Sequence, residues 1–221
     1  MTNIVMANFT KKKFIKFYLG KEEIRAHIDA VHACPPEADE FTGEIVEGVV
    51  NKINCSGIIA IVSRTTVDLN RPRNNNNKEA IDEYRQTIRE ILEYIDILDK
   101  DTELSKPYLH LAIHGMKDKP NENIEIGTLN GKTCSPEVKE WFIKEIEKRV
   151  KKVQTDGRFP GDPSKSVHRC GDYTSNYNYL GYGDNFNTFQ IEISRALRKK
   201  HQKELINILS EIISQFNEKF K

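Results

Sequence analysis

Long apolar runs are absent from this chain, and none of its hydrophobic stretches approaches the roughly 20 residues that a membrane-spanning helix needs. The opening MTNIVMANFTKKK has neither a continuous apolar centre nor a small-residue cleavage site, so it does not read as a secretory signal and a cytoplasmic location is expected. No surplus of one charge exists either. The 34 Lys and Arg against 33 Asp and Glu leave a net charge of +1, which argues against a dedicated nucleic-acid or polyanion surface. Cysteine is scarce. The four (34, 55, 134 and 170) contain no C-x-x-C pair and lack the density of a disulfide scaffold, so reduced thiols are expected. What remains is ordinary globular composition over 221 residues, enough for one well-cored domain spanning the chain.

The pattern along the chain alternates strands with helices. KFIKFYLGKEEIRAHIDAVHA (13–33) reads as a hairpin turning near Gly20, and Phe41, Ile45, Val49 and Ile53 carry the i, i+4 spacing of a helix over 40–53. The strand GIIAIVS (57–63) runs into an arginine-rich loop, RTTVDLNRPR, and then four asparagines, the last placed to cap a helix over 78–99. Strands YLHLAIH (108–114) and NIEIG (123–127) follow, then a helix over 135–150 with Ser135 as its cap and Pro136 in its first turn. Residues 154–186 have no usable periodicity; a stretch this long reads as a functional loop or lid. A final strand (187–194) and an amphipathic helix (195–218) close the chain. The expected architecture is α/β, three layers around a mixed sheet.

Polar groups collect where ligands bind in such sheets, beyond the carboxyl ends of strands. His32 ends one strand, with Glu37 five residues on; His114 ends another; Glu192 interrupts the apolar NTFQIEIS; and the loop holding Arg64, Asp68, Asn70 and Arg71 leaves the same rim. Two histidines and a carboxylate suit a catalytic zinc, and arginine's planar fork suits a carboxylate ligand. His32-x4-Glu37, SRTTVDLNR (63–71), LAIHG (111–115) and FQIEI (189–193), taken in this order, resemble the N-formylglutamate amidohydrolase family and the phage-type poly-γ-glutamate hydrolases, both carboxypeptidase A-like zinc hydrolases. The resemblance covers about residues 24–198.

It implies a zinc carboxypeptidase-like fold holding one Zn²⁺ per chain through His32, Glu37 and His114. Glu192 would be the general base, Asn70 and Arg71 would hold a substrate carboxylate, and Arg64 would face the developing oxyanion. His168, in the 154–186 loop, is a further substrate-binding candidate. The implied substrate is an N-acyl acidic amino acid such as N-formylglutamate, or a γ-glutamyl peptide, with no nucleic-acid or membrane partner. HACPPEADE departs from the glycine-rich segment usual in the family, so Asp39 or Glu40 can replace Glu37 as the ligand.

Other readings stay open at this level. GTLNGKT (127–133) has three residues between its glycines where a phosphate-binding P-loop has four. The two His-x-Cys pairs, His32/Cys34 and His168/Cys170, offer a His₂Cys₂ structural zinc set. A non-catalytic binding protein on the same scaffold is the third.

Overall fold

The computed structural model describes residues 6–99, 102–120, 123–174 and 176–221; the first five residues of the N-terminal segment weighed as a signal lie outside them. Its centre is an eight-stranded sheet. The strands are β1 (Thr10–Lys11), β2 (Ile15–Tyr18), β3 (Ala26–Ala30), β4 (Ser56–Ala60), β5 (Tyr108–Met116), β6 (Ile124–Gly127), β7 (Val153–Thr155) and β10 (Phe186–Ser194), in the order β1-β2-β4-β3-β5-β10-β6-β7. The four central strands, β4, β3, β5 and β10, run parallel, while β1–β2, β2–β4 and β10–β6 are antiparallel. The sheet is therefore mixed. Strands β8 (Asp172–Thr174) and β9 (Tyr177–Tyr179) form a separate ribbon.

Helices cover both faces. On one, α1 (Thr42–Ile53), α3 (Pro136–Arg149) and α6 (Gln202–Lys219) pack a largely apolar layer against Ala26, Ile28, Leu109, Leu111, Phe189 and Ile191. The other carries α2 (Lys78–Tyr94) over Ile58, Ala60, Tyr108 and Phe186, with α4 (Pro163–Cys170) against β10. Side chains alternate along a strand, so the residues between those apolar ones, His27 and Asp29 on β3, His110 and His114 on β5, Thr188, Gln190 and Glu192 on β10, all face the α2/α4 side. Among the described residues no helix is long and apolar enough to cross a membrane.

Several boundaries differ from the sequence expectation for identifiable reasons. β2 and β3 do not form the expected hairpin; β2 pairs with β1 and β4, and β3 lies between β4 and β5. Gly20 is not a hairpin turn but a close crossing: a Cβ there would stand 2.3 Å from the Cys55 carbonyl carbon. Gly20→Ala should therefore cost about 3 kcal/mol or more, because the obstacle is backbone and cannot rotate away; a chemical denaturation midpoint equal to wild type would disprove the crossing. α2 ends at Tyr94 rather than 99, since Asp96 adopts a left-handed φ of 53°. Asn77 occupies the helix-cap position, but its side chain turns back and accepts from the Asn74 N–H at 2.7 Å instead of capping. Ser135 does cap α3, accepting from Val138 N–H. The final helix is broken at His201 into α5 (Arg195–Lys200) and α6.

Candidate active site and metal centre

β3 delivers His32 to the sheet's carboxyl rim, and the next seven residues loop back on it. Asp39 N–H donates to the His32 carbonyl at 2.8 Å, and the Asp39 carbonyl accepts from Thr42 Oγ1 at 2.7 Å, the hydroxyl that opens α1. This closed loop sets the Asp39 carboxylate between two imidazoles, with Oδ2 3.5 Å from His32 Nδ1 and 3.3 Å from His114 Nδ1. The three side chains form a buried group whose ligand-capable atoms lie within 4.8 Å of one another. Glu37, the carboxylate expected from the sequence, is exposed on the outside of the loop at φ 58° and takes no part. Glu40 points away and pairs with Arg195 at 2.6 Å.

The donor set fits a divalent metal. His32 Nδ1 is buried without a hydrogen-bond partner, so its lone pair is uncommitted, while Nε2 lies 2.7 Å from Asp68 Oδ1. A carboxylate on the far nitrogen fixes the tautomer and turns the near nitrogen toward a metal. Burial raises and the two histidines lower Asp39, and the histidines win, holding it well below the usual carboxylate range. His114 is pushed down to about 4, mainly by burial, and is therefore neutral near pH 7, the state a metal donor needs. Without a metal, His32 moves up despite burial because the Asp39 and Asp68 carboxylates flank it.

Glu192 lies beside His114 in the parallel register of β10 and β5. It is 6 % exposed, accepts from Gln190 Nε2 at 3.0 Å, and is pushed up to about 7 by burial and by the charge on Asp39. A carboxyl that exchanges its proton near neutrality suits general acid–base work. Together with the metal group it lines a cleft of about 320 Å³ that also takes in Arg64, Asn70, Arg71 and Arg158. Arg64 reaches from Asp39 (3.5 Å) to Asp68 (4.0 Å). Asp68 Oδ1 accepts the Asn70 N–H at 2.8 Å, turning the chain so that Asn70 and Arg71 face the cleft. Arg71 Nη1 is held 2.9 Å from Asp162, which also caps α4 through Ser164 N–H.

His168 is elsewhere. It is buried under α4, edge-on to Tyr84 and His110, and does not line the cleft, because as part of α4 it faces the sheet. Within 154–186 the cleft wall is instead Arg158 to Pro163, propped from behind by the 127–133 loop, whose Leu129 N–H donates to Pro160. The N–H groups of Thr128, Leu129, Gly131, Lys132 and Thr133 are spent on Asp156, Pro160, Thr128 and Leu129, so the loop offers no phosphate cradle. The His₂Cys₂ set is not assembled: neither metal-capable group among the described residues contains a cysteine.

The chain is similar in fold to N-formylglutamate amidohydrolase. The enzyme of that name from Ralstonia eutropha JMP134 superposes with a TM-score of 0.64 at 15 % identity, over 91 % of this chain and 97 % of that one. A bacteriophage poly-γ-glutamate hydrolase gives 0.54 at 15 % identity, over 94 % and 91 %. Succinylglutamate desuccinalase from Vibrio parahaemolyticus gives 0.51 at 12 %, covering 91 % of this chain and 62 % of its own. No family model and no curated protein matches the sequence.

A second polar group lies deeper on the same sheet face. His27, Asp29 and His110 are fully buried and their ligand-capable atoms also lie within 4.8 Å. Metal binding is unfavourable there. The His27 and His110 rings stack at 4.0 Å and 10°, so their in-plane lone pairs run side by side and cannot converge on one ion. Asp29 Oδ2 already accepts from His110 Nε2 at 2.7 Å and from Tyr84 Oη, and Lys165 with His110 overcomes burial and keeps the carboxylate ionised. In the sequence, only the parity of H-I-D and H-L-A-I-H marks this network.

Proposed function

We propose that the protein is a metal-dependent amidohydrolase, zinc being the metal, that cleaves the amide bond of an N-acyl acidic amino acid such as N-formylglutamate. The observation that carries this reading is the convergence on one cleft of the His32–Asp39–His114 group, a carboxyl poised near pH 7, and three guanidinium groups. A divalent metal in such a site polarises a carbonyl and makes water a better nucleophile. The chain's own groups do the rest. Glu192 takes a proton from the attacking water and hands it to the departing amine nitrogen. Arg64 sets positive charge where the carbonyl oxygen becomes negative. Asn70 and Arg71 hold the substrate's carboxylate, and Asp68 keeps His32 and the Asn70–Arg71 turn in place.

Metal analysis beside assays on N-formylglutamate and γ-glutamyl peptides tests the proposal. About one zinc per chain with hydrolysis of N-formylglutamate supports it, cleavage of γ-glutamyl peptides alone selects the second reading, and a protein that binds the metal and cleaves neither refutes both. Arg71→Met should raise KM for N-formylglutamate about 10–100-fold with a small effect on kcat, the worth of one or two charge-assisted hydrogen bonds. Unchanged KM would remove Arg71 from the substrate site. γ-Glutamyl peptides are the second reading, favoured by the poly-γ-glutamate hydrolase among the similar folds.

A further inference from the structure

Behind the cleft, between α2 and α4, lies a small cavity of about 10 Å³, enough for one water-sized occupant. Three cationic side chains line it: Arg71, Arg85 and Lys165. His168, Ser164 and Tyr84 complete its polar wall, and among the described residues no carboxylate does. Two of these groups have buried atoms with no partner: Nη1 of Arg85, which is 4 % exposed, and Nδ1 of His168, which is 2 % exposed.

The counter-charges all stand outside this wall. Asp172 meets Arg85 through Nη2 at 3.4 Å, Asp162 and Asp68 meet Arg71 at 2.9 and 3.6 Å, and Asp29 lies on the sheet side of Lys165. They neutralise the cations in sum yet offer nothing to Arg85 Nη1 or His168 Nδ1. A water can occupy the space, but it brings two hydrogens to a wall already rich in donors. An anion brings none and accepts from several donors at once. Within this small low-dielectric space the wall turns three cationic side chains, and no carboxylate, toward an occupant.

We infer that this cavity is a binding site for a small monovalent inorganic anion, with chloride as its occupant in solution. The anion bridges Arg85 on α2, Lys165 and His168 on α4, and Arg71 at the end of the arginine loop. It thereby ties the helix that walls the cleft to the helix behind it. The site is distinct from the metal group and shares only Arg71 with the cleft of the proposed reaction.

The test uses sodium bromide as the probe. Crystals of the full chain grown in bromide should show one anomalous peak in the cavity within hydrogen-bond reach of Arg85 and His168. In solution the thermal unfolding midpoint should rise saturably with chloride or bromide over sodium gluconate at equal ionic strength, since a ligand of the native state alone stabilises it. Lys165→Met should abolish that halide-specific rise. Because this variant leaves Asp29 without its cation and can fail to fold, Arg85→Met is the second variant, with the same expectation. Density without anomalous signal at saturating bromide identifies a water and overturns the proposal. So does a midpoint that rises equally in gluconate, or a bromide peak with no halide-specific stabilisation, which marks an adventitious ion only.

Discussion

Replacing Glu192 with glutamine should lower the turnover of N-formylglutamate about 10²–10⁴-fold, the usual worth of a positioned general base, while zinc content stays at the wild-type level. The side chain is not in the metal group, so its loss removes proton transfer and leaves the donors intact. The same substitution has a second, opposite signature in the metal-free protein. A carboxyl raised to about 7 in the fold is protonated and uncharged below that value, and a buried charge above it. Its penalty on the fold is therefore absent near pH 4, where folded and unfolded carboxyls both hold the proton, and develops as pH rises toward 7 and stays fully present above it. Glu192→Gln should raise the unfolding midpoint of the metal-free protein at pH 8 and leave it nearly unchanged at pH 4. Equal shifts at both pH values would mean that Glu192 is not the buried ionising group; retained turnover would mean that it is not the base.

Asp39→Ala should weaken zinc binding by about 10²-fold or more, and Glu37→Ala should not weaken it at all. Loss of a group that only orients a ligand already costs 10–100-fold, so loss of a donor costs at least as much. The contrast between the two carboxylates matters more than either value. Asp39 lies 3.3–3.5 Å from both imidazoles, whereas Glu37 is exposed at the outer turn of the same loop. Competition with a chromophoric chelator reads the affinity directly. A zinc site lost in Glu37→Ala and kept in Asp39→Ala would return the ligand set to the one the sequence resemblance implies, with the 33–41 loop turned over on metal binding.

The layered fold was legible because strand and helix periods are clear in the central segments. β4, β5, β10 and α3 fall within a few residues of their expected bounds. The failures came where tertiary contact decides. A glycine between two strand-like runs looks like a turn until the backbone it must clear is known, and Gly20 must clear Cys55. Of the expected site residues, His32, His114, Arg64, Asn70, Arg71 and Glu192 share one cleft. Glu37 does not, because the direction of a carboxylate in an irregular loop is set by which backbone groups close it, here Asp39 N–H on the His32 carbonyl. His168 falls in a stretch without periodicity, and the helix that buries it is short, with Asp162 as its cap and Pro163 in its first turn, signals diluted among the glycines and tyrosines around them. The buried His27–Asp29–His110 layer was hidden for a different reason: its residues sit at alternate positions in strands whose apolar half dominated the pattern.

Under the proposed function, Asp162 stands as a built-in anion at the guanidinium that a substrate's carboxylate would take. It occupies Arg71 at 2.9 Å and caps α4 with its other oxygen. An arriving carboxylate is therefore a displacer rather than a first occupant, and it must outcompete a tethered rival that never diffuses away. A neutral ligand has nothing to exchange for that contact and is turned away without any steric barrier. The exchange also works in reverse. When such a product's carboxylate loosened, Asp162 would already be at hand to reclaim the guanidinium, and the cleft would clear by the same substitution that let it fill.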